Sequence, residues 1–122
     1  MKIEVIAQDF AVCKMADLTQ LPKGDGIYFL ARTDEELSLV CAAETVPPGA
    51  LACESGWRAF RVQGVLDFSL VGILAALSGL LARHNIGIFA VSTYNTDYIL
   101  TKAGDFAKAL AVLQENGYEV VG

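Results

Sequence analysis

Histidine occurs once, at position 84, and no CxxC pair or Cys/His cluster stands anywhere in the chain. That excludes the ligand spacings of a structural metal site. No GxSxG elbow, phosphate-binding loop or GxGxxG turn is present, and His84 stands isolated. The sequence therefore offers no assembled catalytic apparatus and no cofactor motif. Basic residues are scarce: nine Lys and Arg against fourteen Asp and Glu leave a net charge of −5. Nucleic-acid binding needs clustered cations to neutralise phosphates, so that partner class is not expected. A long apolar run is missing too. The longest uncharged stretch, Phe68–Ala82, has 15 residues, short of the roughly 20 that span a bilayer. It reads as a buried helix, with no membrane partner. Met1-Lys2-Ile3-Glu4 does not resemble a secretory leader, and the expected location is cytoplasmic. The three cysteines, Cys13, Cys41 and Cys53, are an odd number without paired spacing. Cys13 and Cys41 sit inside the apolar strand-like runs FAVCKM and ELSLVCA, and buried, inert thiols in a reducing compartment are expected.

What is present is apolar material, 54% of 122 residues. A chain of this size with that content is expected to bury part of it against a second copy, giving a homodimer. Charge is unevenly placed. Residues 1–56 hold four Lys/Arg and nine Asp/Glu, whereas residues 57–122 hold five of each. The acidic half reads as a solubility feature, since exposed charges are screened.

Along the chain, Lys2–Ala7 alternates polar and apolar residues as a half-buried strand does. Phe10–Met15 repeats the pattern after Asp9, as a second strand or a bulged continuation. Pro22, Gly24 and Gly26 make Asp17–Gly26 a loop. Ile27–Arg32 and Leu37–Ala42 form a hairpin whose acidic tip, Thr33–Glu36, is not a placed acid/base pair. Glu44–Gly56 reads as a connector with one helical turn over Pro48–Ala52. The domain joint is placed there, giving domains 1–56 and 57–122. Trp57–Gly64 is a strand.

Asp67 or Ser69 is the natural N-cap of a helix over Leu70–Arg83. Leu70, Ile73, Leu74, Leu77 and Leu81 make one apolar face, and Val71, Ala75, Ser78 and Ala82 leave the opposite side uncharged, so the helix is expected to be covered on both sides. Asn85 is a left-handed cap. Strands Ile86–Ser92 and Asp97–Thr101 flank the turn Thr93–Thr96. Asp105 caps a second helix with Phe106, Ala109, Leu110 and Leu113 inward, Gly117 closes it, and Tyr118–Val121 is a last strand. The second half thus reads β-α-β-β-α-β, an α+β, ferredoxin-like unit. The first half follows the same plan with its helices reduced.

With DFSLVGIL opening the helix, IGIFAVSTYNTDYIL across the hairpin and AVLQENGYEV at the end, the second half resembles the ACT domain. Together with FAVCKM and RTDEELSLVC, the whole chain resembles small bacterial stand-alone proteins with two ACT units in tandem. Similar units occur in the cytosolic arginine sensors of animals. The resemblance implies a non-catalytic regulatory or sensor module. Its ligand would be a small molecule, an amino acid in particular, held at an interface between ACT units. It also implies which residues meet that ligand: Asp67, Phe68, Ser69, Leu70, Val71 and Gly72 at the helix opening, and Ser92, Thr93, Asn95, Thr96 and Asp97 at the hairpin. The helix opening would offer backbone N–H groups to a carboxylate. Asp67 and Asp97 would face an ammonium. Each of these residues also has a purely structural use, as cap, turn or packing residue. The family's hairpin usually reads STYDTDY, and Asn95 replaces its first Asp here. The alternative is an interaction module that has kept the fold and lost its ligand.

Overall fold

The computed structural model describes residues 1–64 and 71–122. Its elements are β1 (Lys2–Met15), β2 (Phe29–Arg32), β3 (Leu37–Ala42), a 3₁₀ turn (Ala43–Thr45), β4 (Ala50–Val62), α1 (Ile73–Arg83), β5 (Ile88–Ser92), β6 (Asp97–Lys102), α2 (Ala103–Glu115) and β7 (Glu119–Val121). The chain forms two compact units, one of Gln8–Trp57 and one joining Met1–Ala7 to Arg58–Gly122.

The first seven residues thus belong with the second half, whereas the sequence places the division at residue 56 alone. The cause is β1, which runs 14 residues without a break at Asp9. The expected helical turn over Pro48–Ala52 is absent, because β4 begins at Ala50. Pro47 and Pro48 lack ladder donors and stay outside the strand, and the Ala50 N–H closes a turn on the Pro47 carbonyl at 3.3 Å. Pairing with β1 overrides local preference from Ala50 onward. Gly56, at φ +87°, absorbs an irregularity that a residue with a Cβ would resist.

In the larger unit the strand order is β7-β1-β4-β6-β5. A βαββαβ unit built from β4 onward would set β7 directly beside β4. Here the start of β1 lies between them. It pairs parallel with β7, Lys2 opposite Glu119 and Glu4 opposite Val121. On its other side Gln63 N–H bonds the Lys2 carbonyl and Arg61 reaches Glu4, so β1 and β4 run antiparallel. β7 therefore keeps the direction relative to β4 that the ferredoxin-like plan requires. Ile3, Phe60, Val62, Leu77, Leu81, Ile99, Phe106 and Leu113 form the core. Burying Leu77, Leu81 and Leu113 fully contributes about 1.5–3 kcal/mol each relative to exposure.

Both helices start differently from the sequence reading. The N-cap of α1 is Gly72, at φ +82°, with no side-chain cap bond. Asp67 and Ser69, the residues expected there, lie outside the described residues. The N-cap of α2 is Lys102, and Asp105 sits in the first turn, where its charge meets the positive end of the helix dipole. Leu77, Leu80 and Leu81 of α1 are buried, but Val71, Ala75 and Ala82 are exposed in the single chain. In α2 the buried stripe is Phe106, Ala109, Val112 and Leu113, with Leu110 at its margin. Asn85 takes the expected left-handed conformation, φ 59°.

The smaller unit orders β2-β3-β1-β4. Its core is Ala11, Cys13, Met15, Leu39 and Cys41, with Val46 and Ala50 packed against it. No α-helix occurs among its residues, all of which are described. Its β2–β3 hairpin nonetheless repeats the β5–β6 hairpin. Arg32 pairs with Leu37 and Ser92 with Asp97, and each residue of the second turn stands 60 positions after its counterpart. In both turns a threonine N–H bonds the carbonyl three residues on, Thr33 to Glu36 and Thr93 to Thr96, each at 2.9 Å.

Candidate functional site

The start of α1 presents three N–H groups, of Ile73, Leu74 and Ala75, that have no intrahelical acceptor, since the first intrahelical bond runs from Ala76 N–H to the Gly72 carbonyl. Among the described residues no side chain caps these groups, and the positive end of the helix dipole lies here. Gly72 allows that arrangement because its left-handed backbone disfavours any Cβ, and the space where one would point holds no atom within 4 Å. A cleft of about 370 Å³ opens here, lined by Met1, Val71, Gly72, Ile73, Ala76, Asn116, Gly117 and Tyr118.

Its far wall is the end of α2. Asn116 and Gly117 return their N–H groups to the Leu113 and Gln114 carbonyls, and Asn116 Nδ2 donates to the Val112 carbonyl at 2.8 Å. The cleft therefore has the positive end of one helix dipole on one side and the negative end of another opposite. That pairing follows from the alternation of helices and strands, which brings the start of the first helix to the same edge as the end of the second. Ala76, Asn116, Gly117 and Tyr118 were not among the sequence candidates. The signal for them was topological and could be read only once both helices were placed.

The hairpin candidates are engaged with one another. Ser92 Oγ donates to Asp97 Oδ1 at 2.6 Å. Thr93 Oγ1 donates to the Thr96 carbonyl at 3.0 Å. Thr96 is buried, and its hydroxyl donates to the Val62 carbonyl at 2.7 Å, tying the turn to β4. Asn95 and Thr96 line a second cleft, of about 260 Å³, with Glu4, Arg61, Val62, Gly64 and Tyr98. Its floor is charged and aromatic. Arg61 Nη1 donates to Tyr98 Oη at 2.8 Å, Nε donates to Glu4 Oε1 at 3.2 Å, and the guanidinium lies 5.6 Å from the Tyr98 ring centre. The Tyr98 and Glu4 acceptors raise the Arg61 pKa above its usual value and hold the guanidinium charged.

Of the sequence candidates, Val71 and Gly72 thus line the first cleft and Asn95 and Thr96 the second. Asp67, Phe68, Ser69 and Leu70 lie outside the described residues. In the smaller unit a loop and a hairpin do meet, in a cleft of about 340 Å³ lined by Ala16, Asp17, Leu18, Arg32, Thr33, Glu36 and Leu37. Among the described residues no group of His, Cys, Asp and Glu could hold a metal ion, and no helix is long and apolar enough to cross a membrane.

Known proteins agree with this architecture. An Agrobacterium tumefaciens protein of known crystal structure superposes with a TM-score of 0.87 at 28% identity, covering 98% of this chain and 91% of that one. Aspartate kinase of Clostridium acetobutylicum, described as an allosteric enzyme, shares the fold with a TM-score of 0.63 at 12% identity, over 93% of this chain and 34% of that one. The cytosolic arginine sensor for mTORC1 subunit 1 of Homo sapiens, like that of Pongo abelii, is 33% identical over 102 residues, which cover 76% of this chain. The chain spans 31% of the length of those curated relatives. The family model described as ACT domain matches residues 52–115. The chain belongs to the ACT domain family.

Proposed function

We propose that this protein is a non-catalytic ACT regulatory module that holds a free amino acid in the cleft between the start of α1 and the end of α2. The carrying observation is the opposed pair of helix ends. A zwitterion offers a carboxylate and an ammonium, and the two dipole ends match them in sign, each worth about 0.3–1 kcal/mol at an exposed site. The carboxylate meets the N–H groups of Ile73, Leu74 and Ala75. The ammonium meets the carbonyl end of α2. Asp67 to Leu70, the candidates that stand just before Val71 in sequence, lie outside the described residues. The sensor function named for the curated relatives supports an amino acid as the ligand class, and L-arginine is the first to test. A cytoplasmic homodimer, with the exposed Val71–Ala75–Ala82 side of α1 facing a second unit, and a smaller unit derived from a second ACT plan complete the reading.

Thermal shift and calorimetry against the twenty amino acids test it. A ligand at 100 times its Kd stabilises by about 2.7 kcal/mol. Ala76→Trp fills the cleft from a helical position without the backbone strain that substitution at Gly72 brings. It should remove the response and leave the ligand-free Tm unchanged. Full affinity in that variant would place the site elsewhere.

One observation favours the interaction module without a ligand. The hydroxyls of Ser92, Thr93 and Thr96 already donate within the protein, so the hairpin offers a ligand less than its composition suggests. Silence towards all twenty amino acids, with a dimer by light scattering, would select that reading.

A further inference from the structure

The three cysteines have no paired spacing in sequence, yet the smaller unit gathers them on adjoining strands. Across the β1–β3 ladder Cys13 faces Leu39 and Cys41 faces Ala11, so the two thiols are diagonal neighbours on one face. β4, on the other side of β1, carries Cys53. The Cys13 thiol donates to Cys53 Sγ at 3.3 Å. Cys41 is fully buried and Cys13 nearly so, while Cys53 is exposed. An exposed cysteine therefore has the sulfur of a buried one within hydrogen-bond distance.

We propose that Cys13 and Cys53 form a redox pair that a low-molecular-weight disulfide oxidises to an intramolecular disulfide. Cys53 loses its proton to solvent, and its thiolate attacks one sulfur of the reagent. That bond breaks, one thiolate leaves, and a mixed disulfide remains on Cys53. Cys13 then loses its proton, and its sulfur attacks Cys53 and expels the second thiolate. Two protein thiols and one small disulfide become one protein disulfide and two small thiols, with two electrons passing to the reagent. The order follows from the surroundings. Burial, then the adjacent Cys53, push Cys13 up to about 12, so the buried sulfur is a poor first nucleophile. Capping Cys53 removes its negative charge from beside Cys13, which favours the second step. Cys41 is left as the spectator.

The test is incubation of the reduced full chain with oxidised glutathione, followed by denaturing thiol titration and peptide mapping. Free thiols should fall from three to one, the mass should drop by two hydrogens, and a peptide joined at Cys13 and Cys53 should appear. Cys41→Ala should leave that link intact. Cys13→Ala should stop at a glutathione adduct on Cys53. A stable adduct on the unsubstituted protein, a Cys13–Cys41 link, a Cys53–Cys53 dimer, or three unreacted thiols would each overturn the proposal. Should Cys13→Ala fail to fold, mapping of the unsubstituted and Cys41→Ala proteins still decides it.

Discussion

The two hairpins use the same turn and lead to different outcomes. Thr33 and Thr93 make matching bonds, and both second strands end at matching positions, Ala42 and Lys102. From there Ala43 starts a single 3₁₀ turn, while Ala103 starts 13 residues of helix. Pro47 and Pro48 follow the first of these starts at once, and no proline follows the second. The same holds upstream. Asp17-Leu18-Thr19 runs into Pro22, Gly24 and Gly26, whereas Asp67-Phe68-Ser69 runs into the apolar stretch that becomes α1. The strand framework of the smaller unit therefore stands without α-helices, and the cleft between opposed helix ends belongs to the larger unit.

The largest effect should come from the helix-covered core. Leu77→Ala removes a fully buried side chain from α1, and urea unfolding should register a loss of about 2–5 kcal/mol. The exposed Leu51 of the smaller unit should lose within about 0.5 kcal/mol on the same change. A comparable loss at both would contradict the difference in burial between the two leucines.

Next is an alkaline slope belonging to the smaller unit. The thiol of Cys13 ionises near 9.0 in an open chain and near 12 in the fold. The raised folded value means the contribution is fully present below pH 9.0 and is lost as pH climbs towards 12. The slope is at most about 1.4 kcal/mol per pH unit. Under phosphine reductant, Cys13→Ala should flatten that part of the stability profile, and an unchanged slope would assign it to other groups.

The smallest effect sharpens the hairpin comparison itself. Thr96→Val deletes the buried bond to Val62 and leaves that carbonyl short of a donor, at a cost of about 1–3 kcal/mol. Thr33→Val removes bonds in an exposed turn and should cost about 0.5–1.5 kcal/mol. Equal losses would mean that burial does not separate the two turns.

The larger unit was legible because its signals were periodic: the Leu77 and Leu81 stripe, the Thr93–Thr96 turn and the Asn85 cap all occupy their expected places. The helix caps were not. Asp67, Ser69 and Asp105 are good capping residues, yet Gly72 and Lys102 occupy the described N-caps through backbone conformation alone. The insertion of β1 beside β7 was also invisible, because strand alternation marks which residues face inward and carries nothing about which strand lies alongside. Spacing along the chain leaves the cysteines unpaired, whereas their proximity is a property of neighbouring strands.

That insertion sets an order of assembly. Lys2 is made long before its partner Glu119, which emerges only after all the intervening elements. The ladder between β1 and β7 cannot nucleate the fold, because closing so long a loop costs entropy before any contact compensates. Synthesis therefore leaves the Lys2–Glu4 end of β1 waiting beside β4 until β7 arrives as the latch. A chain interrupted before β7 would present one open strand edge, the type of surface on which proteins mispair.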